Sequence, residues 1–308
     1  MEAFNSGKVY LELQFLEEAL REFTEAIRAA PKMAEAYTYR GCTYREMKDY
    51  DNAILDFSAA IALDPRDSFA VHARADLYER IGEREKAVAD YSRLIQLNPE
   101  NAEAYLLRVR ARGLSDSNRA IYDLSKAIEL SHDNAYAFYS RGWIYKELGQ
   151  LSKAIDDLTE AIRLKPESAD FHAHRGMAYG KLGQFDLAIK DLSETIRLDA
   201  KDARAFCNRG IAYEHLGMNE NALSDYSHAI QLDPVFGFAL YRRGRLHKNR
   251  CEFSKALADL TAAIECEPDG WLANYLHMRG EVYSQLHEHR KAMKDFERAK
   301  QLRSCPLR

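Results

Sequence analysis

The sequence has 308 residues, of which 46% are hydrophobic and 30% charged, so the chain can bury a sizeable core. Its 44 Lys and Arg residues nearly balance 48 Asp and Glu residues, leaving a formal net charge of -4. This balance argues against recruitment of nucleic acid or of an anionic membrane by a global positive field. The N-terminal residues lack the basic and apolar regions of a signal peptide, and no apolar run approaches bilayer length. We therefore expect no nucleic-acid partner and no membrane insertion.

Five cysteines are scattered along the chain without any Cys-x-x-Cys spacing. An odd and scattered set fits a reducing compartment better than a disulfide framework. We predict a cytoplasmic protein in which most of these cysteines are small packing residues.

A period of 34 residues organises the sequence in chain order. Each period contains an alanine, usually a glycine twelve residues before it, and an aromatic residue or leucine four residues after it. Apolar residues at helical spacing predict two short helices per period, joined by a brief turn. The recurring alanines are Ala19, Ala53, Ala87, Ala120, Ala154, Ala188, Ala222, Ala256 and Ala292. The predicted repeats are 1–33, 34–67, 68–101, 102–134, 135–168, 169–202, 203–236, 237–270 and 271–304, followed by a tail, 305–308.

Glycine and proline mark the ends and the crossings of the predicted helices. A small residue at the crossing lets two helix axes approach closely. Glycine in the turn suits a left-handed helix cap, and proline stops the second helix. The turn glycines are Gly82, Gly149, Gly183 and Gly217. The stop prolines are Pro31, Pro65, Pro99, Pro166, Pro234 and Pro268.

The repeat 102–134 departs most from the pattern. It is one residue short, with Val109 at the glycine position, Arg112 at a position that is usually tyrosine, and His132 at the proline position. Two interpretations stay open: a locally looser repeat, or a kink that changes the curvature of the array.

The ends of the array show no obvious polar cap. The chain starts inside the first predicted helix, and the last helix offers Met293 and Phe296 with only a short tail after them. Because repeat arrays need polar caps, we expect either a segment of a longer protein or end-on docking to a partner or a second copy. The last repeat also carries two extra residues, Trp271 and Leu272, and we predict that the tryptophan fills a gap between helix pairs.

An arginine precedes the glycine position in eight successive repeats, and an aspartate recurs at fixed spacing on the second helix. We predict a ladder of Arg–Asp pairs, formed either within a repeat or between neighbours; the alternative is two separately solvated charges. The arginines are Arg40, Arg74, Arg108, Arg141, Arg175, Arg209, Arg243 and Arg279. The aspartates are Asp56, Asp90, Asp123, Asp157, Asp191, Asp225, Asp259 and Asp295.

No catalytic motif stands in a suitable context, since the pattern predicts no strand and no glycine-rich loop before a helix. His172 and His174 are two residues apart on a predicted helix and point to different faces, while His287 and His289 lack a third ligand. We therefore expect no enzymatic activity, no catalytic residue, no cofactor and no metal site.

With these features the sequence resembles the tetratricopeptide repeats. The resemblance covers nearly the whole chain and includes glycine at the eighth, tyrosine at the eleventh, alanine at the twentieth and proline at the thirty-second position. It implies an all-α, right-handed superhelical solenoid of antiparallel helix pairs. It also implies that the first helices line a concave groove which binds peptides or proteins.

The resemblance assigns the groove to the second, fifth, ninth and twelfth positions of each repeat. Aromatic side chains next to cations are typical of peptide-binding hot spots. Tyr139 and Trp143 are candidate apolar anchors, with packing on adjacent helices as the alternative. The groove candidates are Phe69, His72, Arg110, Tyr136, Tyr139, Trp143, Lys146, Met177, Ile211, Phe238, Tyr241 and Arg245, together with Asn208 and Arg242 at sixth positions.

Some tetratricopeptide domains grip the C-terminal carboxylate of chaperones with five polar residues from three successive repeats. Asn208 and Arg242 match two of these places, but Ala173, Met177 and Phe238 occupy the others. We therefore reject chaperone-tail binding. The function that we expect is a non-catalytic scaffold or adaptor whose groove binds a peptide or protein segment. The alternatives are an architectural subunit of a large assembly and a non-catalytic arm of a larger protein.

Overall fold

The computed structural model describes residues 1–113, 116–266 and 270–304. These residues form 18 α-helices and no β-strand, which confirms the predicted all-α fold class. The predicted stop Pro268 and the tail 305–308 lie outside the described residues. The helices are α1 (Glu2–Glu12), α2 (Leu16–Ala29), α3 (Ala34–Glu46), α4 (Tyr50–Leu63), α5 (Ser68–Arg80), α6 (Arg84–Leu97), α7 (Ala102–Arg112), α8 (Ser117–Leu130), α9 (Ala135–Glu147), α10 (Leu151–Leu164), α11 (Ala169–Lys181), α12 (Phe185–Leu198), α13 (Ala203–His215), α14 (Asn219–Leu232), α15 (Gly237–Asn249), α16 (Phe253–Glu265), α17 (Leu272–Gln285) and α18 (His289–Ser304).

The chain divides into two compact units, residues 1–144 and residues 145–308, and the boundary falls inside α9. In the first unit, α1 packs on α2, α3 on α4, α5 on α6 and α7 on α8. In the second unit the same arrangement joins α11 to α12, α13 to α14, α15 to α16 and α17 to α18. Each of these pairs also contacts the next, so both units are stacks of helical hairpins with the first helices side by side.

Small residues stand where the two helices of a pair cross, and large side chains of the second helix cover them. All nine recurring alanines are buried. At Gly210, a methyl group in place of hydrogen would lie 2.7 Å from the ring of the buried Tyr226. Since carbon atoms do not approach so closely without displacement, the glycine is a requirement of the packing.

The turn between the helices of a pair uses a left-handed residue, as predicted. Gly183, for example, has φ +81°, and the other three predicted turn glycines also have positive φ. Other repeats place a non-glycine residue there, such as Lys48 with φ 63°. The turn geometry is therefore kept even where the favoured residue is missing.

The recurrent arginine forms the predicted ladder, and it bonds both within its repeat and to the preceding one. Arg209 donates Nε and Nη2 to the two oxygens of Asp225 at 2.8 and 2.8 Å. Its Nη1 donates to Ser193 Oγ, on the second helix of the preceding repeat, at 3.0 Å. Within the described residues, the same carboxylate pairing occurs in Arg40–Asp56, Arg74–Asp90, Arg108–Asp123, Arg175–Asp191, Arg243–Asp259 and Arg279–Asp295. The hydroxyl acceptors in preceding repeats are Thr24, Ser58, Ser92, Ser125, Thr159, Ser227 and Thr261.

We predict that the Arg209–Asp225 pair is strongly coupled. A bidentate pair that is mostly buried should contribute about 1.5 to 3 kcal/mol of coupling free energy. Both charges lose their hydrogen bonds to water on folding, and the hydrogen bonds that they make to each other replace them. A double-mutant cycle of Arg209→Ala and Asp225→Ala, measured by urea unfolding, tests this value. The exposed pair Arg197–Glu194 on α12 is the control and should give a much smaller coupling free energy, because water screens both charges. Equal coupling in the two cycles would contradict a special role for the buried ladder.

Two glycine substitutions should shift stability in opposite directions. Gly210→Ala should destabilise the protein by about 1 to 3 kcal/mol, because its methyl group collides with Tyr226. Gly180→Ala places its methyl group 3.9 Å from Ala188 Cβ, an ordinary contact, and should stabilise α11 by up to about 1 kcal/mol through helix propensity. Thermal unfolding of both variants beside the parent measures the signs. A loss of stability in Gly180→Ala would show that α11 cannot accept a side chain there.

Candidate protein-binding surface

A pocket of about 230 Å³ opens between α11 and α13 in the second unit. It brings together three of the predicted groove residues, Met177, Asn208 and Ile211. Space is available because Gly180 occupies the twelfth position of its repeat, where other repeats carry long side chains: Arg45, Glu79, Lys146, Glu214 and Lys248. The pocket therefore occupies space that a long side chain fills at the equivalent position of those repeats.

The lining of this pocket is mostly apolar. Ala188 and Leu192 of α12 form its buried floor. At the rim, the rings of Phe185 and His215 stack with their centroids 4.4 Å apart and their planes 3° from parallel. The polar side chains at its edge are the Asn208 amide and the Lys181 ammonium, together with the His215 ring. Such a combination of apolar walls and few polar groups is typical of sites that accept an apolar side chain and orient it by hydrogen bonds.

An aromatic cluster lies further along the first helices of the second unit. Phe238 and Tyr241, both groove candidates, contact Trp271 with ring centroids 5.1 and 6.5 Å apart. The prediction that Trp271 fills a gap between helix pairs is wrong, since 44% of this residue is exposed. Tyr275 is buried next to Tyr241 instead, with centroids 5.2 Å apart. Trp271 therefore extends the exposed aromatic surface rather than the core.

The predicted groove cations Arg110 and Arg245 bind acidic side chains of the chain itself. Arg110 donates Nε and Nη2 to Glu79 at 2.7 and 2.9 Å, and Tyr91 donates its hydroxyl to the same carboxylate at 3.0 Å. The Arg110 hydrogen bonds hold the pKa of Glu79 below its ordinary value. In the second unit, Arg245 donates Nη2 to Oε1 of Glu214, and Tyr226 donates its hydroxyl to the other oxygen of that carboxylate. The carboxylates stand at twelfth positions, so each ion pair links a repeat to the next one.

Arg242 belongs to the second of these networks and not to an open clamp. Its Nη2 lies 3.0 Å from Glu214 Oε2, although the two atoms are not aligned as a hydrogen bond. Its Nε donates to the hydroxyl of Tyr226 at 3.3 Å, and Tyr226 donates to Glu214 at 2.9 Å. The guanidinium is mostly buried between these groups, so its role in this unit is structural.

Lys146 is also committed to internal contacts, because only 2% of its side chain is exposed. Its Nζ lies 3.0 Å from a Glu147 oxygen and 3.0 Å from His174 Nδ1. A lysine ammonium can only donate, so His174 accepts at Nδ1 and is neutral. Burial, reinforced by the Lys146 charge, lowers the pKa of His174 to about 4.

The remaining candidates lie in the first unit. Phe69 and Tyr136 have more than half of their surface exposed, and His72 is exposed beside the Tyr91 ring at 6.3 Å. Trp143 is half-buried and packs against the core that includes Val109 and Leu124. Tyr139 is half-buried as well. A second cavity, of about 400 Å³, is lined by Tyr136 and Arg110 among others.

Several family models match separate parts of the sequence. Two of them are described as "Tetratricopeptide repeat" and match residues 34–67, 203–236 and 69–111. Two more with the same description match residues 124–156 and 273–304, and one described as "TPR repeat" matches 142–183 and 181–217. The chain belongs to the tetratricopeptide repeat family. No curated protein matches it by sequence.

Solved structures of other tetratricopeptide repeat proteins share this fold. YrrB, described as a TPR protein with an unusual peptide-binding site, is 26% identical with a TM-score of 0.56, over 61% of this chain and 97% of its own. MamA is 27% identical with a TM-score of 0.50, over 52% of this chain and 94% of its own. The C-terminal part of a repeat protein from Cytophaga hutchinsonii gives a TM-score of 0.64 at 18% identity, over 77% and 98% of the two chains.

Among the residues that the structure describes, no three His, Cys, Asp or Glu side chains are grouped so that they could hold a metal ion. None of the described helices is both long and apolar enough to cross a bilayer. The surface offers concave apolar space and exposed aromatic rings.

We predict that stability falls between pH 6.5 and 5 because of His174. In the unfolded chain this imidazole takes up a proton near its ordinary pKa of 6.5, whereas in the folded chain it does so only near pH 4. The unfolded state therefore binds more protons in this window, and acidification favours unfolding. His174→Asn keeps an acceptor for Lys146 without titrating, so its melting temperature should fall less between pH 6.5 and 5. The same loss in parent and variant would contradict this assignment.

Proposed function

We propose that this chain is a non-catalytic scaffold whose second unit binds a peptide or an extended segment of a partner protein along its first helices. The observation that carries the proposal is the apolar pocket formed by Met177, Asn208 and Ile211. The similarity to YrrB, which is described as having a peptide-binding site, supports it.

The pocket suits one apolar side chain of the partner. Full burial of a leucine-sized side chain contributes about 1.5 to 3 kcal/mol, which alone gives only weak binding. The Asn208 amide at the pocket edge offers a donor and an acceptor for the partner's backbone. The exposed ring of Trp271 and the half-buried rings of Phe238 and Tyr241 supply further contact area for a longer segment.

Charge contributes less to this mode of recognition than the sequence suggested. Arg110, Arg245 and Lys146 are each paired with a carboxylate of the chain. An acidic partner would have to displace these intramolecular pairs before it gained an interaction with the cations. We therefore propose a partner segment selected by apolar anchors and backbone hydrogen bonds rather than by a negative charge.

We predict that Met177→Glu removes the partner that the parent protein captures. A carboxylate in the apolar pocket is hydrated, and an apolar side chain of the partner could enter only by displacing that water, so affinity should fall about ten-fold or more. Leu187→Glu is the control, since it makes the same kind of change at a 43% exposed position of α12 outside the pocket. Affinity capture followed by mass spectrometry compares the three proteins after circular dichroism confirms equal helix content.

A partner lost from Met177→Glu and kept by Leu187→Glu supports binding at the pocket. Partners kept equally by both variants would contradict it and transfer the interaction to another surface of the chain.

A further inference from the structure

In the repeat 102–134, two arginines bond the one aspartate of the ladder. Arg108 donates Nε and Nη2 to Asp123 at 2.9 and 2.6 Å, as its equivalents do in other repeats. Arg112 also donates, from Nη1 to Asp123 Oδ2 at 3.1 Å. One buried carboxylate therefore serves two arginines, which leaves one positive charge without a carboxylate of its own.

The preceding repeat shows what Arg112 replaces. There, Tyr78 occupies the same position, and the Arg74 guanidinium lies over its ring at 5.8 Å from the centroid. Arg74 and Asp90 pair one to one, so the ladder carries no excess charge at that repeat. The guanidinium of Arg112 is thus a difference from the preceding repeat, and the packing of the helix pair does not require it.

Arg112 is mostly buried, with 16% of its side chain exposed, yet several of its N–H groups are unused. Apart from the bond to Asp123, its guanidinium donates to no other residue that the structure describes. It lines a pocket of about 380 Å³, together with Arg108, Asn118, Arg119, Tyr122 and Asp123. Three arginines and one aspartate therefore surround this space, and the carboxylate of Asp116 lies 3.2 Å from Arg119 Nε at its edge.

We propose that this pocket binds an oxyanion, namely a phosphate or carboxylate group presented by a partner. The planar guanidinium of Arg112 offers paired donors that match the two oxygens of such a group. Arg119 is largely exposed and its pair with Asp116 is a surface pair, so it can turn toward the anion at little loss. The Asn118 amide and the Tyr122 hydroxyl add neutral donors at the same opening.

This oxyanion pocket is independent of the peptide-binding pocket proposed above. Arg108 and Arg112 stand at the seventh and eleventh positions of their repeat, whereas the groove was assigned to the second, fifth, ninth and twelfth. It also lies in the first unit, while the apolar pocket lies in the second. One can fail without affecting the other.

The test uses thermal unfolding of the full chain in rising concentrations of inorganic phosphate, with the ionic strength held constant by sodium chloride. Phosphate also stabilises proteins without binding, by exclusion from their surfaces. Arg112→Tyr supplies this baseline, because it restores the residue that other repeats carry. A site that binds the folded state raises the melting temperature in a saturable way, and we expect the saturable part only in the parent.

Two further variants keep the test decisive if Arg112→Tyr folds poorly. Arg119→Gln changes an exposed side chain and should weaken the phosphate effect about five-fold. Arg80→Gln removes an exposed arginine of the same unit outside the pocket and should leave it unchanged. A titration with acetate separates the sources: an equal effect points to an acidic side chain, and an effect of phosphate alone points to a phosphorylated one. The proposal is overturned if the parent shows no saturable rise, or if the folded Arg112→Tyr or Arg119→Gln protein responds like the parent.

Discussion

The side chain on which the rest of the structure depends is the arginine at the seventh position of the repeat. Its guanidinium fixes the first helix to its own second helix through aspartate, and to the preceding second helix through a hydroxyl, as in Arg209 with Asp225 and Ser193. A buried carboxylate without this partner would be strongly destabilising. Because the contacts of the array are local, one polar bridge per repeat fixes each helix pair to its neighbour, while the glycine–aromatic crossings set the distance within the pair.

This division of labour determines which positions remain for binding. Residues at the seventh, eighth, twentieth and twenty-fourth positions are buried in contacts between helices. Some residues at the twelfth position also form bonds within the chain. Glu79 and Glu214 at twelfth positions each hold an arginine of the next repeat and a tyrosine of their own. In both units a cavity opens between adjacent first helices where the twelfth residue is a glycine, at Gly180 in the second unit and at Gly113 in the first. The space available to the proposed partner thus comes from the absence of a side chain at a position where other repeats carry a structural ion pair.

The sequence predicts the helix pairs, the left-handed turns and the Arg–Asp ladder because these features recur. The same residue type at the same position of many repeats indicates that it makes the same contact in each of them. It assigns Met177 and Ile211 to the groove from their ninth positions on adjacent first helices and Asn208 from a sixth position, and the three line one opening. It does not predict that Arg110, Arg245 and Lys146 are internally paired, because their partners Glu79, Glu214 and His174 obey no strict repeat. The hydroxyl partners of the ladder, such as Ser193, do recur and could have been found by looking two residues beyond each aspartate.

In a repetitive sequence, the residues most informative about function are therefore those that differ from the residue type found at the same position of the other repeats. The common fold does not explain why Arg112 stands where other repeats carry tyrosine, since those repeats form the same helix pair without an arginine there. It keeps the pair Arg108–Asp123 intact and adds a second cation to the same carboxylate, so any gain from it must lie outside the pair. Burying an excess charge is unfavourable unless something compensates it. In the described part of the first unit, the compensating group is not a side chain of this protein, which leaves solvent or a ligand that carries the opposite charge.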